Sequence, residues 1–277
     1  MVRNRPFAGR PPWGPREAFI AFAVGISLFF LSSVLVVVAV AALDYELVLE
    51  DPPDIFHTAG VIAEYADERL RAAARGDALP LPPAITPEVG ALRIALGSTV
   101  VFQLATIGVV LAITRRSPGE LIALFRLDEF EMRQMTRPAI LTVIAYMGVV
   151  AYAVMVETLG LDILVPESTV PSAVAQDTIT LALAGLAAVI MAPISEELMY
   201  RGLIMGGLLK WGFLPAALIS SVMFSAVHLD IGSLIPFFGV GMILAYLYWS
   251  GGRLWDAILF HFFFNLISYL ILAGTGG

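Results

Sequence analysis

The chain has 277 residues, of which 59% are hydrophobic and 14% charged, and its mean hydropathy is +0.87. A soluble domain is about half apolar and about a quarter charged, so this balance excludes an ordinary soluble protein and points to one built into a membrane. The net charge of −7 is carried without any cysteine. That absence removes disulfides, thiolate ligands and a thiol nucleophile, and nothing in the sequence suggests nucleic-acid binding.

Asp, Glu, Lys and Arg are missing from the stretches 18–43, 94–114, 138–156, 178–195, 211–229, 231–252 and 257–277. Each is near the ~20 residues that a spanning helix needs. Lipid leaves the backbone no solvent to bond to, so only helices or closed barrels cross it, and these unbroken runs lack the alternation of barrel strands. The expected fold is all-α, a polytopic helical membrane protein with about 7–8 transmembrane helices. The eighth arises if the stretch after Arg201 is a separate span.

In chain order, residues 1–16 read as a disordered tail rich in arginine and proline, with Arg3, Arg5, Arg10 and Arg16 ahead of the first span. Ala39-Val40-Ala41 resembles a signal-peptide cleavage site, but the uncharged run before it is too long for one, which favours an uncleaved anchor. Residues 17–176 form an N-terminal set of transmembrane helices containing a long acidic loop, 44–92. Within that loop Val61, Ile62, Tyr65, Ala66, Leu70 and Ala73 recur at helical spacing, which predicts a short amphipathic surface helix. His57 lies in the same loop and is assigned no catalytic role. Arg115, Arg116, Arg126, Arg133 and Arg137 crowd the connection between the second and third spans, where 117–136 reads as an interfacial helix. The bias of basic residues to the cytoplasmic side puts the N-terminus inside and loops 44–92 and 157–177 outside. The expected location is a bacterial inner (cell) membrane, multi-pass, although the basic turns at Lys210 and Arg253 leave the face to which a site would open undecided.

Composition shifts at about residue 177. The remainder, 177–277, is nearly continuous spans and holds every candidate catalytic group. Glu196 and Glu197 close an uncharged run, and charge at such a place is costly enough to point to function. If helix 178–210 turns at Trp211-Gly212-Phe213 and returns as helix 214–229, Glu196 and His228 lie at similar depth. His261 and Asn265 fall roughly 14 and 20 Å down the last helix from the turn at Gly251-Gly252. A break near Pro193 would alter that path. Residues four apart share a helix face, which pairs Glu197 with Arg201, Phe224 with His228, and His261 with Asn265. Glu197 can then be neutralised by Arg201 while Glu196 remains available. Gly202, Gly206 and Gly207 give the same helix a smooth strip for close packing.

Glu196-Glu197-x-x-x-Arg201, Phe224-x-x-x-His228 and His261-x-x-x-Asn265, in that order on successive membrane helices, resemble the three signature motifs of the CPBP family. These are the CAAX-processing and bacteriocin-processing intramembrane proteases. The resemblance covers 196–265, about a quarter of the chain. It implies a metal-independent glutamic endopeptidase, with no cofactor, that cleaves membrane-associated or prenylated, CAAX-like substrates. In that scheme Glu196 is the general base that activates water, and His228 orients the water or shares its proton. His261 and Asn265 hold the oxyanion, and Glu197, Arg201 and Phe224 support them. The chemistry agrees, since apolar surroundings make a carboxylate a better proton acceptor and imidazole and amide N–H groups suit a developing oxyanion. The implied partners are a peptide or membrane-protein substrate and the lipid bilayer.

Two other function classes fit the same residues. Glu196, His228 and His261 could form a His₂Glu zinc set, although no HExxH helix is present. A transporter or scaffold could use a polar cluster at mid-membrane, although such proteins favour internal repeats and none is evident. Tyr200 is read as a core aromatic, and Asp230 and Asp256 as capping or solvated residues at helix ends.

Overall fold

The computed structural model describes residues 11–43, 45, 47–48, 55–77, 80, 86–166, 174–175 and 177–275. Nine helices of seven residues or more occur among the described residues. These are α1 (Pro15–Ala42), α2 (Ile55–Arg75), α3 (Val89–Thr114), α4 (Pro118–Leu124), α5 (Thr136–Thr158), α6 (Thr178–Trp211), α7 (Phe213–Ala226), α8 (Leu234–Gly251) and α9 (Trp255–Thr275). A two-residue antiparallel bridge, β1 (Leu47–Val48) with β2 (Thr86–Pro87), closes the long loop around α2. The chain is a polytopic helical membrane protein. Among the described residues six helices, α1, α3, α5, α6, α8 and α9, are long and apolar enough to span, and α7 is a shorter apolar helix. The stretch after Arg201 is not a span of its own, because α6 runs through it to Trp211.

Burial grades inward to α6. Phe30, Leu31, Val34 and Leu35 of α1 are exposed, whereas Leu203, Ile204, Met205 and Leu208 of α6 are fully buried. Apolar side chains on an outer helix cost nothing when their solvent is lipid, so the exposed face is the lipid-facing one. α6 is packed by α1, α3, α7 and α9, α7 lies against α8, and α9 against α5. Its glycine strip permits this. A Cβ on Gly202 would meet the Phe125 ring at 2.8 Å, and one on Gly207 the carbonyl of Gly14 at 2.6 Å.

Three local expectations change. Residues 1–10 of the tail lie outside the described residues, but the tail ends sooner than residue 16. Trp13 is buried, its indole N–H donates to Leu203 O at 2.9 Å, and α1 begins at Pro15, where a proline's missing N–H costs a helix nothing. The interfacial helix expected over 117–136 is only α4, opened by a Ser117 cap whose side chain and Glu120 satisfy each other's backbone N–H groups. Phe125 then turns inward to pack on Trp13 and under Gly202. Asp256 is buried and paired with Arg253 rather than solvated. Asp230 does cap, accepting from the backbone N–H groups of Gly232 and Ser233 ahead of α8.

Candidate active site

α6 is unbroken at Pro193 but not uniform. It is α-helical to Ala184, π-helical over Gly185–Met191, α-helical over Ala192–Glu196 and π-helical again over Glu197–Met205. The extra residue per turn absorbs the proline, which has no N–H and would clash with the preceding turn of an α-helix. In this pattern the N–H of Ala192 bonds Ala187 O. The donor due to Ala188 O is residue 193, and proline cannot supply it.

Two side chains from other helices reach those carbonyls. Asn265 Nδ2 on α9 donates to Ala188 O at 2.8 Å, and Gln103 Nε2 on α3 donates to Ala187 O at 3.0 Å. One of the two N–H bonds of Asn265 is therefore committed to α6, which leaves the second for any ligand.

Glu197 and Arg201 are both fully buried and paired, Arg201 Nη1 to Glu197 Oε1 at 3.0 Å. Arg201 Nη2 also donates to Gly241 O of α8 at 3.3 Å, and its guanidinium lies 4.4 Å from the Phe224 ring centroid. A contact that sequence spacing does not show comes from α9, where His261 Nδ1 lies 2.9 Å from the same Glu197 Oε1. Glu197 Oε1 already accepts from Arg201, and Nδ1 is the donor to the same oxygen. The ring atom left free is Nε2.

His228 sits two residues past the end of α7, in a turn followed by Leu229 at φ 55°, and not within a helix running to 229. Its Nδ1 lies 2.8 Å from Phe224 O. A carbonyl only accepts, so here too Nδ1 carries the hydrogen and Nε2 is free. Phe224 is the common wall. Its ring meets His228 at 5.0 Å, Tyr200 at 5.5 Å and His261 at 5.9 Å between centroids.

Glu196, His228, His261 and Asn265 all line one cavity of about 630 Å³ between α3, α5, α6, α8 and α9. Glu197 and Arg201 do not reach it. A second, mostly apolar cavity of about 720 Å³ between α1, α3 and α6 also ends on Glu196 and His228. Tyr200 lines this second space and is buried, as expected of a core aromatic. Glu196 Oε2 is buried with no hydrogen-bond partner among the described residues. No three His, Asp or Glu side chains there converge closely enough to hold a metal ion. Of the site, sequence spacing missed Gln103, an uncharged residue in an apolar run with no motif to mark it.

Residues 178–267 match the model of the family described as Type II CAAX prenyl endopeptidase Rce1-like. This part of the chain is similar to that family. Over 77 residues, 27% of the chain, it is 40% identical to "Putative membrane peptidase YdiL" of Bacillus subtilis (strain 168). The aligned stretch covers 32% of that protein, so the chain spans about a third of the length of the curated relative it matches. No solved structure matches. The matched segment runs from the start of α6 into α9 and so contains Glu196, Glu197, Arg201, His228, His261 and Asn265 but not Gln103.

Proposed function

We propose that the protein is an intramembrane endopeptidase that hydrolyses a peptide bond with a water activated by Glu196. One observation carries the reading: Glu196 of α6, His228 of the turn after α7, and His261 and Asn265 of α9 line a single cavity inside a membrane protein. The match of residues 178–267 to the Rce1-like family model supports it. Glu196 takes the proton of the attacking water and returns it to the leaving nitrogen. His228, with Nδ1 donating to Phe224 O, offers the lone pair of Nε2 to the same water and orients it. The carbonyl oxygen of the substrate faces Asn265, whose second N–H remains free, and His261. As a donor through Nε2, His261 needs its second proton, and Glu197 stands at Nδ1 as the counter-charge. Glu197 and Arg201 hold His261 and α6 in place.

No resident cofactor enters this scheme. Its substrates are peptides or membrane proteins reaching the site through the bilayer, with CAAX-like substrates as the family's indication. A multi-pass position in a bacterial inner membrane with a cytoplasmic N-terminus belongs to the same proposal.

Glu196→Gln keeps the shape of the side chain and removes the base. General acid–base groups typically contribute about 10²–10⁴ in rate, so kcat for peptide cleavage should fall by about that factor with thermal unfolding in detergent unchanged. Wild-type rates in the variant would end the assignment. Loss of activity to a chelator, with recovery on adding zinc, would favour the metal-dependent reading instead.

A further inference from the structure

The two cavities share four lining residues: Thr99, Gln103, Glu196 and His228. Two of these are on α3, outside the segment that matches the family. Gln103 is 5% exposed. Its Nε2 is fixed on Ala187 O, which can only accept, so the amide cannot be flipped. The oxygen Oε1 is thereby turned away from that carbonyl, and it has no hydrogen-bond partner among the described residues.

The same is true of Glu196 Oε2. Both residues line the place where the cavities meet, and each carries a buried acceptor without a partner among the described residues, which calls for a ligand that brings donors. A water supplies one for Glu196. An extended peptide supplies the other, because every non-proline residue carries a backbone N–H that must be paired when it leaves water. A lipid chain brings no donor, and a carbonyl or carboxylate would face an acceptor.

Resting on the endopeptidase reading above, we propose that Gln103 is a substrate-binding residue whose amide oxygen accepts a backbone N–H of the peptide beside the scissile bond. The peptide then runs from one cavity to the other across Glu196. Its apolar side chains lie in the α1–α3 space on one side and its continuation lies towards α5 and α9 on the other. Specificity at this point is for main chain, so it is indifferent to side-chain identity and is lost at proline.

The test uses the full-length protein in lipid nanodiscs and a pool of quenched-fluorescent synthetic apolar peptides, from which one cleaved sequence is taken. Single amide N–H groups flanking its scissile bond are replaced by ester oxygens, leaving the scissile amide intact. One position should lower kcat/KM by about tenfold to a hundredfold in the wild type, the effect of leaving a buried acceptor unpaired. Other positions should change little. In Gln103→Leu and Gln103→Met that one position should lose its effect, with the ester and the parent peptide cleaved alike. Ala187 O keeps the N–H of Ala192 in these variants, so the helix is not left with an orphaned carbonyl. A flat ester scan in the wild type, or the same sensitive position persisting in both variants, overturns the role of Gln103. A wild type that cleaves no peptide, or a Glu196→Gln variant as fast as the wild type, overturns the endopeptidase reading itself and this inference with it.

Discussion

Both site histidines are tied by Nδ1, His228 to Phe224 O and His261 to Glu197, so each presents Nε2 and their difference lies in the partner behind. A carbonyl behind Nδ1 leaves Nε2 of His228 as the ring atom turned to a ligand. A carboxylate gives His261 a counter-charge. Glu197 consequently does more than neutralise Arg201, the role that its i,i+4 spacing suggests; it joins α6 to α9. Removing one partner of a buried pair leaves the other charge uncompensated, at a cost of about 3–5 kcal/mol. Glu197→Gln should therefore lose about that much stability in denaturant unfolding, and Arg201→Met added to it should recover part. A Glu197→Gln protein as stable as the wild type would show that the pair is not held as drawn. The residue types and the Glu197–Arg201 spacing were legible in the chain. The His261–Glu197 bond was not, because nothing local relates residues 64 positions apart.

At the scale of elements, α6 decides the geometry. Straight α-helical counting places Glu196 and His228 at similar depth, and they do line the same cavity. The counting does not reveal two π-helical stretches, because it assumes the α-helical rise throughout and π turns are rare insertions in α-helices. Asn265 caps the carbonyl that Pro193 leaves without a donor. An orphaned buried carbonyl costs about 1–3 kcal/mol. Asn265→Ala should therefore lower thermal stability by that order in the wild-type background and by clearly less in Pro193→Ala, where the backbone N–H returns. Its effect on turnover should persist in both backgrounds, with kcat falling by about 10²–10³ if the amide also meets the oxyanion. Equal stability losses in the two backgrounds would detach Asn265 from the proline. Proline was legible as a point of strain, but whether α6 would break or widen was not.

Over the whole molecule, the N-terminal half supplies walls. α1 and α3 close the second cavity, and α3 is tied to the start of α6 by Arg93, which forms a two-pronged ion pair with Asp177. Hydrogen bonds from Thr180, followed by Arg93, hold the Asp177 carboxyl well below its usual range, at about 2. A carboxyl lowered on folding stabilises the fold above its unfolded value, ~3.9, and that contribution disappears as the pH falls towards 2. Asp177→Asn should thus lower the thermal midpoint at neutral pH, by an amount that shrinks as the pH falls through about 2. A mutant offset that stayed constant across this range would show that the ionised carboxylate is not what holds the cap.

The sequence by itself determined the membrane setting, the all-helical fold, the approximate spans and the residue types of the site. These follow from composition and from periodicities that a single helix expresses within a few turns. Tertiary packing decided the rest: the π register of α6, the tautomers of both histidines, the committed N–H of Asn265 and the entry of Gln103 into the site. Each depends on a hydrogen bond between helices. Such a bond forms because a buried donor or acceptor must find a partner across the bundle, and no pattern within either helix records where that partner lies.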